Sequence, residues 1–107
     1  MKDYQLIADL REALTTVPVD SIVSRTLSQT LTLRVILFGF AAGQELSEHS
    51  TPMSATLQFL AGQATVTLGE DQFVVGPGTW VQMPPKLPHS IRAHEEPVLM
   101  LLTMAKA

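Results

Sequence analysis

Polar and apolar residues alternate in short runs over most of the chain. Leu31, Leu33 and Val35 alternate with Thr32 and Arg34, and Ala64, Val66 and Leu68 with Thr65 and Thr67. A period of two places one face of an extended strand on a core and the other towards solvent. Between such runs stand turn signals at near-regular intervals: Ala42-Gly43, Ala61-Gly62, Gly69-Glu70-Asp71, Gly76-Pro77-Gly78, Pro84-Pro85 and Glu95-Glu96-Pro97. Short strands punctuated in this way predict an all-β sandwich or barrel. Upstream, Leu6, Leu10, Ala13 and Leu14 fall at helical spacing, but the stretch runs into Thr15-Thr16-Val17-Pro18, which ends a helix. The expected organisation is a lead-in over residues 1–20, a short helix or an irregular segment, followed by one barrel domain over residues 21–107.

Two runs depart from alternation. Val35-Ile36-Leu37-Phe38-Gly39-Phe40 and Val98-Leu99-Met100-Leu101-Leu102 are apolar on both faces. Only the inner face of a barrel wall meets its core, so the outer face of these strands needs another layer or a second subunit. A homodimer is the expected assembly, two-fold pairs being the commonest.

Composition narrows the partners. With 107 residues, 46% hydrophobic and 16% charged, the chain suits one well-packed core and is too often interrupted by polar residues to cross a membrane as a helix. Its net charge of -3, with seven scattered Lys and Arg, argues against a nucleic-acid partner, which would need a basic stripe. The absence of cysteine removes disulfides and thiolate metal sites. The opening MKDYQLIADL lacks the features of a signal peptide, so the expected location is the cytoplasm.

The candidate chemistry lies between Gly43 and Ala93. Gly43 is followed after five residues by His49, and then come Thr51, Ala55 and Gly62; further on, Gly78, Pro84, Lys86, His89 and Ala93 form a second spaced group. In spacing, both groups resemble the two short motifs of the cupin superfamily. The first motif is Gly, five residues, His, one residue, His, three or four residues, Glu, six residues, Gly. The second is Gly, five residues, Pro, one residue, Gly, two residues, His, three residues, Asn. The resemblance implies a double-stranded β-helix, a jelly-roll barrel with one motif in each half. It also implies His49 and His89 as the survivors of a site where two His, a Glu and a third His hold a divalent metal. Thr51 and Ala55 stand at the other two ligand positions, and Lys86 and Ala93 at the Gly and Asn positions.

A hydroxyl is a poor ligand for a transition metal and a methyl is none, so two imidazoles would hold a divalent ion only in part and weakly. Strand alternation puts Ala55, Leu57 and Phe59 on one face and Gln58 on the other, while Met53, Met83 and Trp80 could line a pocket mouth or fill the core. His49, Thr51, Phe59, Met83 and His89 are therefore the candidate ligand-binding residues, with His49 and His89 the candidate metal ligands. If they share a site, their nearest ring nitrogens lie about 3 to 5 Å apart. Otherwise His49 is a rim residue bonded to backbone and His89 a packed turn residue. His94, in the charged turn before Pro97, is expected to be solvated.

Three functions fit these residues. The favoured one is a binding module, an apolar barrel pocket with two histidines as polar handles for a small anionic or metal-chelating molecule. The second is an enzyme, either a metal-dependent dioxygenase-like one or a metal-free isomerase using a neutral histidine as base. The third is a structural or regulatory subunit with a vestigial site. Fold alone does not choose among them.

Overall fold

The computed structural model describes residues 3–106; Met1 and Lys2 of the expected lead-in and Ala107 of the expected barrel lie outside the described residues. Nine strands follow a single 3-10 turn at Leu10–Glu12: β1 Ile22–Gln29, β2 Leu33–Phe40, β3 Glu45–His49, β4 Ser54–Ala61, β5 Ala64–Leu68, β6 Asp71–Val75, β7 Trp80–Met83, β8 His89–Ala93 and β9 Val98–Ala105. The helical spacing of residues 3–14 thus yields only that turn. Asp9 caps it by accepting from the Arg11 N–H at 3.0 Å, and the β-prone Thr15-Thr16-Val17-Pro18 run prevents its extension.

The strands form two antiparallel sheets, one in the order β1-β2-β9-β4-β7 and the other in the order β3-β8-β5-β6. Strands adjacent in space but distant in sequence, such as β2 and β9, give the jelly-roll connectivity expected from the punctuation. The core lies between the sheets. Ile36 and Phe40 on β2, Ala55, Leu57 and Phe59 on β4, Met100 and Met104 on β9, Val81 and Met83 on β7, and Val66 and Ile91 from the other sheet form one buried cluster. Each fully buried Leu, Phe or Met side chain contributes about 1.5–3 kcal/mol relative to exposure.

The outer face of β2 and β9 is covered in part by the chain itself. Leu37 is fully buried, although it faces away from the cluster that holds Ile36 and Phe40. On this outer side Gly39 is paired with Leu99, and a side chain added at Gly39 would meet Val17 at 2.6 Å and Leu14 at 3.2 Å. Arg25 is paired with Leu37 across the strands, and its guanidinium donates to the Ala13 carbonyl at 2.6 Å. The lead-in is therefore a strap across the sheet, and the missing Cβ at Gly39 admits it. Beyond the strap, Trp80 on the edge strand β7 is 60% exposed, so it does not fill the core. Among the described residues no helix is long and apolar enough to cross a membrane.

Replacing Gly39 with Val should lift the strap from the sheet and lower stability by about 1–3 kcal/mol. Urea unfolding measures this loss, and a variant as stable as the parent would show that the strap contributes nothing.

Candidate functional site

The register of β3, β8 and β5 sets the two motif histidines side by side. His49 lies opposite His89, and His89 lies opposite Leu68. Alternation puts His89 on the same face as Ile91 and Ala93, both buried in the core. Their ring centroids are 4.2 Å apart and the ring planes are tilted by 56°. His89 is 4% exposed, whereas His49, on the edge strand β3, is exposed. The pair stands at the rim, with one ring sunk into the wall and the other open to solvent.

Backbone groups orient both rings. His89 Nδ1 lies 2.8 Å from the Leu87 carbonyl, and His49 Nδ1 lies 2.9 Å from the Ser47 carbonyl. A carbonyl oxygen only accepts, so Nδ1 is the N–H in each ring and the neutral form keeps its lone pair on Nε2. Burial pushes the His89 pKa below its ordinary value of 6.5; the Leu87 carbonyl opposes that shift and the neighbouring His49 adds to it. The turn that presents His89 has its own constraint. Lys86, at the position where the motif has Gly, adopts a left-handed φ of 69°, and its N–H bonds the Thr51 carbonyl at 2.7 Å. This contact ties the two motif regions together at a backbone conformation that a lysine adopts only at some cost.

The other candidates take different places. Thr51 is half-buried, and its hydroxyl lies 3.9 Å from the Met104 sulfur. Met104 is paired with Ala55, which is also paired with Met83. Ala55, Met83 and Met104 are all buried, so methionines on both neighbouring strands flank the position where the motif has a carboxylate. Phe59 is fully buried about 13 Å along β4 from Ala55. It bonds through its backbone to Thr79 and Gly78, towards the far end of the barrel. The structure thus brings His49 to His89 and Thr51 to Met104, and it sets Phe59 apart from them.

His94 differs from expectation. It is half-buried, with its Nε2 2.7 Å from the Thr65 hydroxyl, because its backbone N–H bonds the Gln63 carbonyl and folds the turn onto the sheet. It borders an open cleft of about 850 Å³ together with Gly43, Gly62, Gln63, Arg92 and Glu95. Neither this cleft nor a smaller one of about 310 Å³ beneath the strap is lined by His49 or His89. Met104 and the Thr65–His94 contact were not legible beforehand, since both join segments far apart in sequence.

Two neutral imidazoles suit a divalent metal, but the remaining ligands do not. Among the described residues no three His, Asp or Glu side chains gather at one point, and the third and fourth motif positions offer a hydroxyl turned to a thioether and a methyl. The residues present do not complete the metal site of the motif.

Two facing sheets in jelly-roll order with the paired motifs at the rim define a cupin-type barrel. A family model described as Cupin domain matches residues 36–104, and the chain belongs to that family. Among solved structures it is similar to a conserved protein of unknown function from Streptococcus pyogenes, at 31% identity over 99% of this chain and 91% of that one, with a TM-score of 0.85. A cupin superfamily protein from Desulfitobacterium hafniense DCB-2 shares the fold at 20% identity, 100% and 94% coverage, and a TM-score of 0.86. A putative mannose-6-phosphate isomerase from Ralstonia eutropha JMP134 shares it at 20% identity, 87% and 94% coverage, and a TM-score of 0.76. No curated protein matches by sequence.

The lowered pKa of His89 predicts how stability varies with pH. Its folded form binds a proton less readily than its unfolded form, so its contribution is fully present above about pH 6.5 and is lost as pH falls towards the folded pKa. In urea unfolding at a series of pH values, His89→Gln should lose less stability than the parent between about pH 7.5 and 5. Equal losses would assign the acid sensitivity to other groups.

Proposed function

We propose that this protein is a small-molecule binding module whose ligand is held at the barrel rim by His49 and His89. The observation that carries the reading is the pair of touching imidazoles, each fixed through Nδ1 to backbone two residues earlier. Such fixing is wasted on a surface residue, but it pre-organises two Nε2 atoms for one partner. Apolar neighbours supply the rest of the site: Leu68 and Leu87 border His89, and Met53 packs on the same core. Thr51 is half-buried against Met104, Met83 is buried in the core, and fully buried Phe59, towards the far end of the barrel, would act only as core. A divalent metal would have only His49 and His89, with water or ligand completing its shell, and would be partially occupied and easily stripped.

The same reading includes a homodimer in the cytoplasm. The strap leaves Leu33 and Trp80 exposed on the outer side of the five-stranded sheet, and a second copy would cover them. Native mass spectrometry of gently purified protein should show a dimer with a retained small molecule that His49→Ala releases. A bare monomer at micromolar concentration would overturn both parts.

Metal dependence separates this module from a metal enzyme. Chelator should leave the melting temperature of the natural sequence nearly unchanged, because the core is complete without metal. The double variant Thr51→His, Ala55→Glu should melt lower under chelator, since the carboxylate must enter between Met83 and Met104, and should regain stability on addition of Mn(II) or Ni(II). A large fall in melting temperature on chelation of the natural sequence would show that other side chains reach an ion.

A further inference from the structure

The hydrogen bonds that fix the two rings also dictate the polarity of what they receive. Resting on the ligand-binding reading above, we propose that the His49–His89 pair recognises a neutral molecule carrying two adjacent hydroxyl groups on a compact apolar body, as in a vicinal diol or catechol, and discriminates against a bare anion.

Each Nδ1–H is committed to a backbone carbonyl, Ser47 for His49 and Leu87 for His89. Both neutral rings therefore offer the site an acceptor and no donor. The rings are 4.2 Å apart by centroid, yet among the described residues no hydrogen bond joins them. Two lone pairs cannot satisfy each other. Nor are they sealed in: among the described residues no buried side-chain nitrogen or oxygen lacks a partner, so the unbonded His89 Nε2 is reachable from outside even though the residue is 4% exposed.

A group entering between two acceptors must bring protons. One hydroxyl can donate to one ring and its neighbour to the other, since rings with centroids 4.2 Å apart are within the joint reach of two hydroxyls on adjacent carbons. A carboxylate, which near neutral pH has no proton to give, would oppose its own lone pairs to both nitrogens and leave them without a donor. The apolar body fits the remainder, where Leu68 lies opposite His89, Leu87 precedes it by two residues, and both pack on the core with Met53.

The test uses the uniformly 15N-labelled full-length chain near neutral pH, with chelator present and oxygen excluded. Long-range proton–nitrogen spectra report the tautomer of each histidine while catechol, 1,2-dimethoxybenzene or benzoate is added. Both rings should be in the Nδ1–H form, and catechol should shift the Nε2 resonances of both. The dimethyl ether, similar in shape but without donors, and benzoate should each bind at least about tenfold more weakly. A ring found in the Nε2–H form, or benzoate or the ether binding as tightly as catechol, overturns the donor assignment and leaves a ligand site standing. Catechol that moves neither ring while both are in the Nδ1–H form overturns the ligand site itself, and the assignment with it.

Discussion

The pairing of β2 with β9 at the centre of the five-stranded sheet is the constraint from which the rest follows. Eight consecutive residues of each strand are matched, and their inward side chains, among them Ile36, Phe40, Val98 and Met100, build the core that the four-stranded sheet closes. Because the outward side chains Leu37 and Leu99 are also apolar, the wall is stable only with a second cover. Val17 and Leu14 supply it over Gly39, and Arg25 anchors the strap by its hold on the Ala13 carbonyl. That wall is covered on both sides at its centre, and the four-stranded sheet that carries His49 and His89 packs against its inner face.

At the barrel rim, the two motif positions that lack ligands have different contents. A carboxylate at position 55 would need a positive partner or hydrogen bonds to be buried; the methyl of Ala55 needs neither and leaves room for the long, adaptable side chains of Met83 and Met104. Thr51 then turns its hydroxyl to the Met104 thioether instead of outward to an ion. What persists is the orientation of the imidazoles by backbone carbonyls, which does not depend on the missing ligands. The site has imidazoles and no carboxylate at these motif positions.

The strands were legible because alternation and turn residues act locally: Ala64 to Leu68 and the turn at Gly69 are determined by neighbours in sequence. The pairing of His49 with His89 was legible only through the spacing of two motifs that resemble those of a family. The cover over Leu37 was half legible, since apolar faces on β2 and β9 called for another layer but nothing local identified it as the chain's own lead-in. The reason is that Gly39, read from sequence, is one more weak strand residue, and its role appears only when Val17 is placed against it. Helical spacing in residues 3–14 comes to no more than the turn at Leu10–Glu12, for a related reason. Leu14 is apolar to meet a sheet, not to complete the face of a helix. Likewise His94, amid charged residues, gave no sign of Thr65, which reaches it from across the fold.

The family match begins at residue 36, downstream of both the strap and β1. A domain trimmed to that boundary would keep every motif position and both histidines, and would still be recognised as a cupin. It would also lose Arg25 and Val17, turning Leu37 and the free edge of β2 out to solvent as an apolar strand with unpaired backbone groups, a template for fibre growth. The part of the chain that carries no signature is thus the part that covers the apolar wall and pairs the open edge of the signature-bearing barrel.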